Sequence, residues 1–175
     1  MRRYLLTRFS RIMWVVMAAL AGTSACARGP DSRPANAPAA PTHSAHAQKP
    51  LVVVHKSPSC GCCGKWVEHL EQAGFPVEVR NDSDLSALKS RLGIPPEMVS
   101  CHTAEVDGYV IEGHVPVTDL ERLLAERPPA RGLVLPGMPL GSPGMEVPNG
   151  RKDAFSVELL DKQGNTRTFQ QHPSQ

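Results

Sequence analysis

Three cysteines crowd the stretch SPSCGCCGKW, residues Ser57 to Trp66, with one glycine separating Cys60 from the adjacent pair Cys62 and Cys63. Thiolates are nucleophiles and soft metal ligands, so the cluster admits two chemistries. Cys60 and Cys63 have the spacing of a disulfide exchanger. Cys62 is surplus to that task. On a helix the side chains of Cys62 and Cys63 diverge by roughly 100°, which makes a bridge between them difficult.

A fourth thiol lies well along the chain, at Cys101. Two structural disulfides are one way to use four cysteines in an oxidising compartment, but the adjacent pair argues against it. A single Cys60–Cys63 disulfide with two spare thiols stays open. Structural zinc sites space their paired cysteines by two to four residues, which the adjacent pair does not. Crowded thiolates suit bridging chemistry with a soft ion, and Cu(I) is the soft first-row ion that fits. Iron–sulfur clusters also take four cysteines, yet their usual spacings differ from this block.

The elements around these residues read as an α/β domain. Leu51 to His55 is a β-branched run bounded by Pro50 and Pro58, the pattern of a buried strand. A helix starts near Gly61, with Cys63, Val67 and Leu70 at helical spacing, and ends at Gly74. Pro76 to Val79 is a second strand. Ser83 is placed to cap a helix carrying Leu85, Leu88 and Leu92. Asp107-Gly108 turns a hairpin between Ser100–Val106 and Tyr109–Ile111. Thr118 and Glu121 read as a capping box for a helix with Leu120, Leu123 and Leu124, closed by Pro128-Pro129. A Gly/Pro/Met loop follows, Gly132 to Gly150, and then a last hairpin, Ala154–Leu160 with Thr166–Phe169.

The first residues belong to no such unit. Arg2, Arg3, Arg8 and Arg11 precede an apolar run and then small residues, the order of an export signal over residues 1–27. Thr23 to Cys26 also resembles a lipoprotein box, which would place a lipid anchor on Cys26. Residues 28–50 are an Ala/Pro-rich linker; His43 and His46 within it read as solvated. The domain is residues 51–170, and a periplasmic location follows from the signal. The formal charge of +2 falls to −2 without the four leader arginines, so no basic surface points to nucleic acid.

This strand and helix order is thioredoxin-like: a mixed sheet flanked by helices, with the cysteine cluster at the first strand-to-helix junction. Backbone N–H groups at such a junction favour a thiolate. Lys56 and Lys65 add positive charge nearby but are given no role. Aligning Val106-Asp107-Gly108 with the hairpin of glutaredoxin-like proteins puts Ser100-Cys101-His102 opposite the redox motif. Thioredoxin-like exchangers carry a proline there to cradle the substrate peptide. Here the position offers a thiol of its own.

The segments KSPSCGCCGKWVEHLEQAGF, SCHTAEVDGYVIEGHVP and ERLLAERPPARGLVLPGMPLGSPGME, with the terminal hairpin, resemble the CopG-type periplasmic copper proteins. Many members of that family are known only as CxCC-type metal-binding proteins of unknown function. The resemblance spans Leu51 to Phe169 and has Cys101 in register. It implies a multinuclear Cu(I) cluster on Cys60, Cys62, Cys63 and Cys101, in an exported protein that works with other periplasmic copper-handling proteins in copper resistance. Sequestration, transfer and copper redox conversion all fit, so an oxidoreductase acting on copper is compatible with the resemblance and does not follow from it. Met138, Met145, His102 and His114 are second-tier ligand candidates; His55 and His69 read as structural. The rivals are a thiol–disulfide oxidoreductase using Cys60 and Cys63, and a structural zinc module.

Overall fold

The computed structural model describes residues 48–175. The export signal, Cys26, His43, His46 and all but the last few linker residues lie outside the described part. The described chain folds around one seven-stranded mixed sheet, in the order β2 (Val77–Asn81), β1 (Val52–Lys56), β3 (His102–Val106), β4 (Tyr109–Glu112), β5 (Gly132–Val134), β6 (Phe155–Leu160) and β7 (Thr166–His172).

The strand β1 (Val52–Lys56) alternates fully buried Val52 and Val54 with half-buried Val53 and His55. It pairs in parallel with β2 (Val77–Asn81) and antiparallel with β3 (His102–Val106). Between β1 and β2 runs α1 (Gly61–Gln72), which buries Cys63, Trp66, Val67 and Leu70, one stripe at helical spacing. Leucines at 120 and 123 bring α3 (Val117–Glu126) into the same apolar cluster, with Val52, Val54, Ala104 and Ile111 from the sheet. The short α2 (Ser86–Arg91) covers the opposite face. Its Lys89 reaches Thr103 and Glu112, whose side chains alternate with those of Ala104 and Ile111.

The β3–β4 hairpin turns at Asp107 and Gly108 as expected, with β4 at Tyr109–Glu112. Both turn residues have positive φ, 48° and 83°, the combination required by a two-residue type I′ turn.

Several sequence expectations need correction. Ser83 does not cap α2; Asp84 accepts the Ser86 N–H just ahead of the helix instead. The Thr118–Glu121 capping box does not form, because α3 begins at Val117 on Pro116, whose carbonyl takes the first helical hydrogen bonds. The Gly132–Gly150 loop contains a strand, β5 (Gly132–Val134), too short to show a period. That strand runs parallel to β4 and antiparallel to β6 (Phe155–Leu160), so it joins the terminal hairpin to the sheet. Finally, β7 (Thr166–His172) outruns the boundary at residue 170. There His172 stacks on Phe155 and bonds Asp119 at 2.7 Å.

Candidate metal centre

Cys60 is the N-cap of α1, with extended backbone, and its sulfur accepts the Cys63 N–H at 3.4 Å. Cys62 and Cys63 follow in the first helical turn, where free N–H groups and the helix dipole favour anionic sulfur. Cys101 immediately precedes β3. Because Lys56 is registered opposite His102, the start of β3 sits beside the end of β1, level with the loop that enters α1. Sheet pairing thus brings a thiol 38 residues away to within 3.4 Å of Cys63 Sγ.

The four sulfurs all lie within 4.8 Å of one another. Cys60 and Cys63 are joined as a disulfide, with Cα atoms 5.4 Å apart, while Cys62 and Cys101 are free thiols. Cys62 Sγ is 3.5 Å from Cys60 Sγ. Cys63 is fully buried and the other three are half-buried, so the group faces outward from the edge of the core.

Two imidazoles complete the surroundings, and both are buried, where sequence reasoning left a solvated surface role equally open. His114 Nδ1 donates to the Pro143 carbonyl at 2.8 Å, because a carbonyl can only accept. Its Nε2 lone pair therefore faces Cys101 Sγ, 3.0 Å away. His102 Nδ1 lies 3.4 Å from the same sulfur, and its ring packs on Trp66 with centroids 4.5 Å apart. Trp66 is held in turn by a hydrogen bond from its indole N–H to Val115 O, 2.9 Å.

Burial dominates the electrostatics. Loss of solvent pushes the Cys101 thiol up to about 11, and the charge of Cys62 adds to the effect. Loss of solvent also pulls His102 down to about 3, helped by His114 and Lys89, and holds His114 below its ordinary value. Both rings are thus neutral at pH 7 and keep a lone pair. His102 Nε2 is buried and has no hydrogen-bond partner among the described residues.

The second-tier methionines separate. Met138 is 52% exposed on the surface. Met145 is half-buried in a loop that packs against α1 beside the site. Its neighbour Gly144, at φ +87°, comes so near that a Cβ would sit 2.6 Å from Cys62 O and 3.4 Å from His114 Nδ1. Glu146 pins this loop by accepting the Gly144 N–H at 2.9 Å and by bonding His69 of α1 at 2.7 Å. His69 and His55 both have structural partners, the latter in Glu105 at 3.2 Å. Of the two lysines, Lys56 donates to Ser57 O at 2.9 Å, while Lys65 is exposed.

Sequence reasoning overlooked Glu112 and Lys89, a buried pair beneath the Cys101 loop. The signal was there for Glu112: one carboxylate at the end of the otherwise apolar strand run YVIE.

A family model described as "Protein of unknown function, DUF411" matches residues 98–145, which include Cys101 and both buried histidines. No curated protein matches the chain significantly. Two solved structures do, titled "Copper resistance protein copG- Form 1" and "Copper resistance protein copG- Form 2". Each is 45% identical, with TM-scores of 0.67 and 0.68, and each match covers 71% of this chain and 98% and 99% of the solved chains. The chain belongs to the family of the copper resistance protein CopG.

Proposed function

We propose that the protein serves copper resistance by holding Cu(I) on a shared thiolate set, as an exported periplasmic protein. One observation carries this reading: four sulfurs from two separate segments converge within 4.8 Å of one another. The spread alone also admits one tetrahedral zinc; the adjacent Cys62–Cys63 pair, which departs from zinc spacing, favours Cu(I) on shared sulfurs. Reduction of the Cys60–Cys63 bond by two electrons frees the full set. Copper displaces the thiol protons as it binds, which matters most at Cys101, whose buried thiol holds its proton tightly.

The remaining residues supply second-tier donors. His114 presents a neutral Nε2 to the same place as Cys101, and Pro143 O fixes that tautomer. The His102 ring flanks Cys101 from the core side. Met145 lies in the loop that shuts against α1, which favours it over the exposed Met138 as a thioether donor. Bound copper is cargo that can be stored, passed to other periplasmic copper-handling proteins, or change oxidation state. Export by the N-terminal signal, with or without a lipid on Cys26, belongs to the same proposal.

Loading the reduced chain with Cu(I) under anaerobic conditions, desalting and measuring metal per chain tests the reading. The expected result is more than one copper per chain. A one-to-one zinc complex that copper cannot displace overturns it and favours the zinc module.

A further inference from the structure

The four sulfurs form a compact quartet: Cys60 is bonded to Cys63, Cys62 lies 3.5 Å from Cys60 and Cys101 3.4 Å from Cys63, and all are within 4.8 Å of one another. The groups needed for a thiol–disulfide exchange meet at the Cys101 end, where a rotation of the Cys101 side chain brings its sulfur in line with the Cys60–Cys63 bond. Cys101 supplies the attacking sulfur. His114 Nε2, 3.0 Å from it, is a base already in the accepting tautomer, held there by the Pro143 carbonyl. Such a nucleophile, base and orienting group is the arrangement that activates a thiol. The electrophile is Cys63 Sγ, in contact with Cys101. The leaving sulfur is Cys60, at the N-terminus of α1, where the Cys63 N–H already points at it. A thiolate so stabilised leaves readily.

We propose that the Cys60–Cys63 disulfide migrates within the folded, metal-free protein to Cys63–Cys101, with Cys101 attacking Cys63, His114 taking the proton and Cys60 departing. One S–S bond forms as one breaks. The proton leaves Cys101, rests on His114 Nε2 and ends on Cys60. No electrons are gained or lost overall, and no external oxidant or reductant takes part. Cys63 is fully buried, so outside thiols cannot compete with Cys101 for it.

The product differs from the starting protein in what it shows to solvent. The new disulfide is sealed at its Cys63 end. Cys60 and Cys62, both half-buried and 3.5 Å apart, become a free dithiol suited to one soft ion. The migration thus exchanges one free thiol pair, Cys62 with Cys101, for another, Cys60 with Cys62.

The test uses the metal-free chain carrying Cys62→Ser, which silences exchange from the other end. After oxidation to a single disulfide, the chain is quenched in acid, its free thiols are labelled, and the peptides are mapped by mass spectrometry. The expected result is a Cys63–Cys101 disulfide with label on Cys60, alongside the Cys60–Cys63 form. Adding His114→Gln should slow the approach to the final ratio by about 100-fold, as expected for a lost base. In Cys60→Ser, oxidation should join Cys63 to Cys101 with the circular dichroism of the fold retained. Label confined to Cys101 in the Cys62→Ser chain overturns the proposal, whatever copper the reduced protein binds.

Discussion

The Glu112 carboxylate accepts the backbone N–H of Ser100 at 2.6 Å, so a fully buried acid on β4 holds the residue next to Cys101. The same carboxylate takes the Thr103 hydroxyl at 2.6 Å and the Lys89 ammonium at 2.5 Å. Burial raises the Glu112 pKa despite these three donors. Glu112→Ala leaves Lys89 buried without its partner and should cost about 3–5 kcal/mol in urea unfolding of the metal-free protein. Combining it with Lys89→Met should recover part of that loss. A double variant weaker than Glu112→Ala would contradict this account.

Cys101→Ser should keep the fold and lose copper. The hydroxyl fills nearly the same space but is a hard, weak ligand. Copper affinity should fall by more than the roughly 10–100-fold that removing an outer partner costs. Competition with a Cu(I) chelator measures it, with circular dichroism as the check on folding. Unchanged affinity would confine binding to Cys60, Cys62 and Cys63.

Two glycines around the site should respond in opposite ways. A Cβ on Gly61 meets nothing within 4 Å, so Gly61→Ala should be neutral or stabilising by up to about 1 kcal/mol. Gly144 has φ +87°, and a Cβ there would meet Cys62 O and Trp66 N, so Gly144→Ala should cost about 1–3 kcal/mol and loosen its loop from α1. Thermal melts of the two variants separate these outcomes.

Acid should destabilise the metal-free protein through His102. Its folded pKa of about 3 lies below the ordinary 6.5, so the unfolded chain takes up the proton first. The stabilising contribution is complete above pH 6.5 and is lost progressively as pH falls toward 3. His114, shifted the same way, adds to the slope. His102→Phe should flatten the fall in urea-unfolding free energy over that range.

Insulin reduction should be slow compared with thioredoxin. The residue preceding β3 is Cys101, with its sulfur turned to Cys63, where an exchanger needs a proline to dock a peptide. A turnover matching thioredoxin would restore the oxidoreductase reading.

Local signals carried much of this architecture in the sequence. The Val52–Lys56 run, the stripe through Trp66 and Leu70, and the Asp107-Gly108 turn each show in a few consecutive residues. So did the position of Cys101, because a hairpin fixes the residue that leads into it. What escaped notice depends on partners distant in the chain. Three residues at β5 have no periodicity, and only their pairing with β4 and β6 makes them a strand. Lys89 looks like an ordinary surface charge until α2 folds over β3 and β4 and pairs it with Glu112. His114 owes its tautomer to a carbonyl 29 residues away.

The register of β1 against β3 also sets an order of events for a newly made chain. Cys60, Cys62 and Cys63 are neighbours before any folding, and the β3–β4 and β6–β7 hairpins close over short loops. Val52–Lys56 must instead find His102–Val106 across the whole of α1, β2 and α2, a long closure of the kind that slows folding. Until that pairing forms, an oxidant or a metal ion meets only a three-sulfur peptide. The complete set of donors comes into being with the central sheet, so the population of chains able to use all four sulfurs equals the population that has folded.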